Sequence, residues 1–321
     1  MIPPKLLPYQ FLSALSRRKS RDRSPITHYP FQMIQPTGKT KLLGIIGHPV
    51  EHSLSPAMQN AALAELGLDW VFLPFPVSPD NLEAALAGFA AIGVVGFNAT
   101  IPHKQAIIPH LCHISELAQA VGAVNTVWRT PRGWEGTNTD VEGFLSPIGD
   151  RPWNGRTAVV LGNGGAARAV VAGMAQLDCG KIRVVGRDRD KLSQFKHSWA
   201  NSPYAANLET HLWSELPDVL PSADLLVNTT PIGMSPQVDR SPVEETLMAK
   251  LPQDAIVYDL IYTPSPTKFL QQAQQLGKEA IDGSQMLVQQ GAAALRLWLQ
   301  RDNVPVNVMS QALAHQLSRS A

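Results

Sequence analysis

The chain has 321 residues, 44% of them hydrophobic, and its 27 basic and 26 acidic side chains leave a formal net charge of +1. This balance gives no electrostatic reason to expect nucleic acid or an anionic membrane as the main partner. The apolar runs fall short of the roughly 20 residues that span a bilayer. Cys112 and Cys179 have neither a pairing pattern nor metal-ligand spacing, which suits a reducing compartment. We therefore expect a soluble, cytoplasmic protein that is long enough for two domains.

Residues 1–32 differ in composition from the rest of the chain. Five basic residues crowd between Arg17 and Arg23, in sequence that lacks the apolar core of a secretory signal. We expect a disordered extension, because such a segment buries too little apolar surface to offset the entropy of ordering. A basic targeting or binding arm is the alternative, and Met33 is a second candidate for the start codon.

The next part of the chain alternates short apolar runs with helix-forming stretches. Residues 41–47, KLLGIIG, predict a buried strand. Ser55 and Pro56 then open an alanine- and leucine-rich stretch that Gly67 ends, as in a helix. In chain order we predict a strand at 41–47, a helix at 57–66, a strand at 70–75, a helix at 81–90, a strand at 93–98 and a helix at 102–111.

The same alternation restarts near Asn154. We predict strands at 157–161, 181–185, 224–228, 255–260 and 279–281, and helices at 166–177, at 267–276 and from 286 onward. Such alternation is typical of α/β domains with mostly parallel sheets. The sequence therefore predicts two α/β domains with a cleft between them, in which ligands bind at the carboxyl ends of the strands.

A glycine-rich turn follows the first strand of the second domain. Residues 161–168 read LGNGGAAR, and Gly162, Gly164 and Ala167 fit the G-x-G-x-x-G/A pattern between a strand and a helix. Glycine lets backbone N–H groups approach a pyrophosphate at the positive end of the helix. The pattern therefore predicts dinucleotide binding; the alternative is a glycine-rich turn that packs a helix closely on its sheet.

The end of the next strand indicates which dinucleotide binds. An acid there binds the ribose hydroxyl of NAD, whereas an arginine accommodates the 2′-phosphate of NADP. Arg187 occupies this place and Lys191 follows in the next helix, so we predict NADP. Asp188 leaves some use of NAD open, and a solvated charged loop is the alternative interpretation.

A second group of polar residues lies in the first half. A predicted strand ends at Asn98, and Pro102 begins the helix whose first turn contains Lys104. The helix dipole disfavours a cation there, so a lysine in that turn suits proton donation and acceptance. The simplest alternatives are that Lys104 faces solvent, that Asp140 caps a helix N-terminus and that Asn125 is a turn residue.

Ser53 and Ser55 flank a predicted helix start, where hydroxyls and helix N–H groups can bind an anion, although ordinary capping explains them as well. His48 and His52 have the spacing of zinc ligands on a helix. Pro49 lies between them and the H-E-x-x-H motif is absent, so we predict no metal site.

Eight segments together resemble the shikimate dehydrogenase family, from residue 41 to the C-terminus. They are GHPVEHSLSP (47–56), NATIPHK (98–104), GAVNTV (122–127), NTDVEG (138–143), GNGGAARA (162–169), NTTPIGM (228–234), YDLIYTPSPT (258–267) and DGSQMLVQQ (282–290). The resemblance implies an NADP-dependent oxidoreductase that reduces 3-dehydroshikimate to shikimate in chorismate and aromatic amino-acid biosynthesis.

The resemblance also implies a role for each matching residue. Lys104 matches the lysine that exchanges a proton with the oxygen that becomes the hydroxyl, and Asp140 matches its acidic partner. The residues that match substrate ligands are Ser53, Ser55, Thr100, Asn125, Asp140, Tyr262 and Gln290. The residues that match the cofactor side are Gly162, Asn163, Gly164, Gly165, Ala166, Arg187, Lys191, Leu260 and Gly283.

The implied organisation has four parts. Residues 33–139 form the substrate-binding and catalytic domain, residues 140–283 the NADP-binding Rossmann domain, and residues 284–321 helices that return to the first domain, after the extension at 1–32. A homodimer is left open. The alternatives are a quinate/shikimate dehydrogenase that uses NAD, a tetrahydrofolate-linked dehydrogenase and a non-catalytic ligand-sensing domain. Arg187 argues against the first, NTDVEG against the second, and the presence of Lys104 and Asp140 against the third.

Removal of residues 1–32 tests the expected disorder of the extension. A chain that starts at Met33 should fold and turn over like the full chain, because the extension is not expected to contribute to a packed core. Melting temperature and steady-state activity of the two chains provide the measurement. A large fall in either would show that the extension packs on the enzyme.

Overall fold

The computed structural model describes residues 35–200, 202, 204 and 207–320. The predicted extension at residues 1–32 lies outside the described residues. The first lobe comprises β1 (Lys41–Gly47), α1 (Ser55–Glu65), β2 (Trp70–Pro76), α2 (Leu82–Ala91), β3 (Val94–Ala99), α3 (His103–Ala106), β4 (His113–Ile114), α4 (Glu116–Val121), β5 (Thr126–Thr130) and β6 (Gly133–Thr137). Helix α5 (Asp140–Leu145) then leads into the second lobe.

The first lobe is built on a six-stranded sheet in the order β2-β1-β3-β5-β6-β4. Strands β1, β2 and β3 pair in parallel, whereas β5 is antiparallel to both β3 and β6. Apolar clusters cover both faces of this sheet. The parallel strands end at one edge, so the loops after β1 and β3 lie side by side, and the N–H of Thr100 donates to the carbonyl of Ile46 over 2.9 Å.

The second lobe is a doubly wound parallel sheet. It comprises β7 (Thr157–Leu161), α6 (Gly165–Gln176), β8 (Lys181–Gly186), α7 (Arg189–His197), β9 (Leu208–Leu212), α8 (Leu216–Val219), β10 (Leu225–Asn228), α9 (Glu245–Met248), β11 (Ile256–Asp259), α10 (Lys268–Gln275) and β12 (Glu279–Ile281). The strand order is β12-β11-β10-β7-β8-β9, with every pair parallel. Every residue of β7 is buried, as the apolar run TAVVL requires in a sheet covered on both faces.

Helices α11 (Ser284–Leu299) and α12 (Val306–Ser320) follow the last strand and pack on the first lobe. Their apolar residues Leu295, Trp298 and Met309 share one cluster with Leu43 and Phe72 of the first sheet. The chain therefore passes between the lobes twice, through α5 and again before α11. Because both passages lie at the cleft, residues on α5 and α11 can contact residues of either lobe.

The two sheets confirm the predicted α/β class, and several local features differ from the prediction. The helix predicted at 102–111 is cut short, since α3 ends at Ala106 and a 3₁₀ turn spans Ile108–His110. Pro109 lacks an N–H and clashes with the preceding turn, which stops an α-helix there. The antiparallel strands β5 and β6 and the edge strand β9 were not predicted, because short, half-polar strands lack a clear period.

None of the described helices combines the length and the apolar character that crossing a membrane requires.

Candidate active site

A lysine–aspartate ion pair lies in the cleft. The ammonium of Lys104 donates to Oδ2 of Asp140 over 2.7 Å, with side-chain exposures of 19% and 8%. The lysine is in α3, directly after the loop that ends β3, and the aspartate is the first residue of α5. The pair therefore joins the carboxyl edge of the first sheet to the helix that leads into the second lobe.

Both main chains at this pair are held by further hydrogen bonds. The carbonyl of Lys104 accepts from the N–H of Val124 over 2.7 Å, and the N–H of Asp140 donates to Oδ1 of Asn138 over 3.0 Å. The N-cap of α5 is Thr139, so Asp140 is not the capping residue that the simplest interpretation expected. Its carboxylate is free to bind side chains.

Asn125 connects this carboxylate to the rest of the site. Its carboxamide Nδ2 donates to Oδ1 of Asp140 over 2.9 Å and lies 3.5 Å from Oε1 of Gln290 on α11. Its Oδ1 accepts from the N–H of Thr139 over 2.7 Å. All four residues are at least nine-tenths buried. Each oxygen of Asp140 therefore has its own donor, Lys104 or Asn125, and the carboxylate is fixed in orientation.

Three buried residues next to Asn125 were not among the predicted site residues, namely Asn98, Thr126 and Thr139. Nδ2 of Asn98 donates to the carbonyl of Asn125 and to Oγ1 of Thr126, over 3.0 and 3.1 Å. Thr139 and Thr126 are joined through their hydroxyls over 2.9 Å. Oδ1 of Asn98 is buried without a protein partner among the described residues. The signal in the sequence was the position of Asn98 and Thr139 inside the matching segments.

The two serines lie at the neighbouring strand end. Ser53 precedes α1 and Ser55 is its first residue, and the N–H of Ser55 donates to Oγ of Ser53 over 3.3 Å. Thr100 follows β3 beside this loop. Among the described residues, no hydrogen bond joins either serine to Lys104 or Asp140. The predicted substrate residues thus form two groups on one edge of the sheet.

Tyr262 reaches this loop from the second lobe. It follows β11, and its hydroxyl interacts with the backbone of Leu54, between the two serines. Burial raises the pKa of the Tyr262 hydroxyl, and the nearby backbone of Leu54 acts in the opposite direction. The tyrosine therefore connects the second lobe to the serine-bearing loop.

The glycine-rich turn faces the lysine. Gly162 has φ +106°, and a methyl group there would lie 2.7 Å from Oγ1 of Thr229. Gly164 opens on free space, and in the described part of the chain no side chain caps helix α6 behind it. At Gly165 a methyl group would meet Cδ of Lys104 at 3.7 Å. The turn, including Asn163 and Ala166, therefore presents unblocked helix N–H groups beside the ion pair, as a pyrophosphate requires.

The charged residues after β8 lie on the surface. Arg187 and Lys191 are exposed. Oδ1 of Asp188 accepts from the N–H groups of Asp190 and Lys191, each over 3.0 Å, which makes Asp188 the N-cap of α7. The Lys191 hydrogen bond, followed by that from Asp190, lowers the pKa of Asp188. One carboxylate oxygen is thus occupied by the helix.

Residues 45–127 match the model of the shikimate dehydrogenase substrate binding domain. The shikimate dehydrogenase (NADP(+)) of Trichormus variabilis is 64% identical over 284 residues, which cover 88% of this chain and 98% of that protein. The chain belongs to the shikimate dehydrogenase family. The resemblance found in the sequence is confirmed.

Solved structures of the family have the same fold. A shikimate dehydrogenase crystallised in complex with NADP⁺ matches with a TM-score of 0.79 and 37% identity, covering 88% of this chain and 98% of that one. The enzyme of Thermus thermophilus, in complex with NADP(H) and shikimate, matches with a TM-score of 0.75 and 32% identity, covering 86% and 99%.

The carboxyl group of Asp259 is buried beside the glycine-rich turn. Leu161, Asn228 and Asp259 end strands β7, β10 and β11 in register. Leu260 and Gly283 follow in the adjoining loops, and a methyl group at Gly283 would overlap the Leu260 carbonyl oxygen. Asp259 has no exposed surface, and burial raises its pKa to about 6.

No group of three or more His, Cys, Asp and Glu side chains that could hold a metal ion occurs in the described ranges.

The titration of Asp259 predicts a pH-dependent contribution to stability. The ordinary pKa of an aspartate side chain is 3.8, whereas burial raises that of Asp259 to about 6, so the folded state favours the protonated form more than the unfolded chain does. Its contribution to the free energy of unfolding is therefore complete below pH 3.8 and is lost as pH rises through about 6. The difference corresponds to about 3 kcal/mol.

Asp259→Asn isolates this effect, because asparagine keeps the shape and does not titrate. The stability of the variant relative to the wild type should increase as pH rises from about 4 to about 7. Denaturant unfolding of both proteins across this range provides the measurement. A relative stability that is independent of pH would contradict the raised pKa.

Proposed function

We propose that the chain catalyses the reversible NADPH-dependent reduction of 3-dehydroshikimate to shikimate. The observation that carries the proposal is the Lys104–Asp140 pair at 2.7 Å, with the lysine stem against the glycine-rich turn at Gly165. A proton-transfer group and a dinucleotide turn that face each other in one cleft are what reduction of a ketone needs. The NADP(+)-dependent relative at 64% identity supports the same activity and cofactor.

Lys104 moves the proton in this proposal. As the ketone is reduced, its ammonium gives a proton to the oxygen that becomes the hydroxyl, and in the reverse direction its amine takes that proton back. Asp140 holds the ammonium through Oδ2, while Asn125 prevents the carboxylate from turning. When bound, NADPH supplies the hydride to the ring carbon.

The substrate side follows from the two groups at the strand ends. Ser53 and Ser55 bind the carboxylate of the substrate with their hydroxyls, and Tyr262 lies against the same loop. The ring hydroxyls are bound by the remaining polar side chains of the cleft. These are Thr100, Asn125, Asp140 and Gln290.

The residues of the second lobe fit NADP. The first N–H groups of the twelve-residue helix α6 have no side-chain cap and suit the pyrophosphate. The exposed Arg187 and Lys191 suit the 2′-phosphate, which an arginine fork can bind with two hydrogen bonds. The residues assigned to the cofactor are Gly162, Asn163, Gly164, Gly165, Ala166, Arg187, Lys191, Leu260 and Gly283.

In this proposal residues 33–139 bind the substrate, residues 140–283 bind NADP, and the helices of residues 284–321 return to the substrate domain. The enzyme acts in the cytoplasm, a compartment that suits an exposed free thiol at Cys112 and a buried one at Cys179. Light scattering decides between a monomer and the homodimer left open by the sequence.

An assay of four substrate and cofactor pairs tests the activity. Shikimate and quinate are each offered with NADP⁺ and with NAD⁺, and nicotinamide reduction is followed by absorbance. Shikimate with NADP⁺ should have the highest kcat/KM. A preference for quinate with NAD⁺ would favour the quinate/shikimate alternative, and no turnover with any pair would favour the ligand-sensing alternative.

Arg187→Ala tests how the cofactor is distinguished. Hydrogen bonds to charged groups contribute roughly 1.5–3 kcal/mol, so KM for NADP⁺ should rise about ten-fold or more. KM for NAD⁺ should stay within about two-fold, because NAD⁺ lacks the 2′-phosphate. Equal losses for both cofactors would mean that Arg187 supports the loop and does not contact the phosphate.

Lys104→Ala tests the proton-transfer role. General acid–base groups contribute about 10²–10⁴-fold, so kcat with shikimate should fall by that factor. NADP⁺ binding, measured by calorimetry, should be nearly intact, since the lysine meets the turn only through its methylene stem. Near-normal turnover of the folded variant would contradict the assignment.

A further inference from the structure

We propose that Asp259 is a positioning residue that sets the place of Tyr262 over the serine-bearing loop. The inference rests on the proposed function, because it assigns Tyr262 to the substrate. The carboxylate lies at the carboxyl edge of the second sheet, with no exposed surface, and the reaction described above does not use it.

Asp259 binds three elements at once. Its Oδ1 accepts from Nδ2 of Asn228, at the end of the neighbouring strand β10, over 3.0 Å. The same oxygen accepts from the N–H of Ile261 over 3.1 Å, and Oδ2 accepts from Oγ1 of Thr267 over 2.7 Å. The carboxylate therefore joins a strand end, the start of its own loop and the N-cap of α10.

The loop between these anchors carries Tyr262. Ile261 directly precedes the tyrosine, and Thr267 closes the loop by capping α10 through the N–H of Leu270. The carbonyl of Ile261 also accepts from the N–H of Gly283 over 3.1 Å. With both ends of residues 260–267 fixed, the backbone on either side of the tyrosine has few alternative paths.

The same hydrogen-bond network extends to the cofactor turn. Oδ1 of Asn228 accepts from the N–H and hydroxyl of Thr230, and Nδ2 donates to the carbonyl of Ile232. The adjacent Thr229 donates its hydroxyl to the carbonyl of Leu161, immediately before Gly162. Asp259 thus links the tyrosine loop to the turn that faces Lys104.

A buried carboxylate is a costly way to hold a loop if only stability matters. Its three donors are neutral, and burial of a carboxyl group without a cation disfavours its ionised form. Unlike the contacts of an apolar side chain, its hydrogen bonds are directional, so three donors around two oxygens define one arrangement of the loop. That property serves the placement of Tyr262.

Asp224 provides a matched control in the same sheet. It directly precedes β10 at the opposite, amino-terminal edge, and its Oδ2 accepts from the N–H of Thr157 over 2.8 Å. Its carboxylate also links two neighbouring strands, far along the strand from the ligand edge. Loss of Asp224 should lower stability without changing ligand binding.

The test uses Asp259→Ala, Asp259→Asn, Tyr262→Phe and Asp224→Ala in the full chain. Shikimate Kd is measured by calorimetry, together with kcat, KM and melting temperature. Asp259→Ala should raise Kd and KM for shikimate about three- to ten-fold, as expected if the substrate loses one hydrogen bond, that from Tyr262. The value of kcat should stay within about three-fold of the wild type. Asp259→Asn, which keeps an acceptor toward Asn228 and Ile261, should restore Kd to within about three-fold, and Asp224→Ala should leave it unchanged.

Combination with Tyr262→Phe separates positioning from general support. If Asp259 acts through the tyrosine, its substitution should change Kd by less than about two-fold in the Tyr262→Phe background. Additive effects, or a wild-type Kd in folded Asp259→Ala, would overturn the proposal. If Asp259→Ala does not fold, Thr267→Val removes the donor to Oδ2 together with the cap of α10, and an unchanged Kd in that variant overturns the proposal. A wild type that neither binds nor turns over shikimate overturns the proposed function itself.

Discussion

The cleft depends on one electrostatic constraint, the placement of the Asp140 carboxylate under the Lys104 ammonium. A carboxylate removed from water is costly unless each oxygen has a donor. Here Lys104 supplies one donor and Asn125 the other. Asn125 is in turn held by the backbone of Thr139, so the geometry of the pair depends on main-chain positions of the first lobe.

The connection between the lobes serves the same pair. Asp140 begins α5, and Gln290 on α11 lies beside Asn125, so both passages between the lobes contribute to the polar centre. The helices approach closely at Gly143, where a methyl group would lie 2.7 Å from the carbonyl oxygen of Met286. The two helices that join the lobes therefore also carry residues of the polar centre.

Sequence patterns predicted most of the parallel strands, because buried runs such as TAVVL permit few other structures. The roles of Lys104 and Asp140 came from the family resemblance, and the structure places these residues and the glycine-rich turn in one cleft. The antiparallel pair β5 and β6 was missed, since Gly133 and a short half-polar hairpin give weak periodicity. Asn98 and Asp259 were also missed, because a polar residue at a strand end shows its role only when its partners from distant segments are known.

Asp140, Asp188 and Asp259 show why residue type alone cannot assign such roles. Each lies where a strand, or the loop after it, gives way to the next element, and Asp is favoured near helix starts in general. Asp188 is exposed and caps α7 through backbone N–H groups, which lower its pKa. Asp259 has only neutral donors, and its burial raises its pKa to about 6. Asp140 is buried beside Lys104, whose side chain is part-exposed to the cleft. The cap occupies Oδ1 of Asp188, and this carboxylate aligns the helix that carries Lys191. Burial and the charge of the partner, more than the residue type, therefore distinguish these three aspartates.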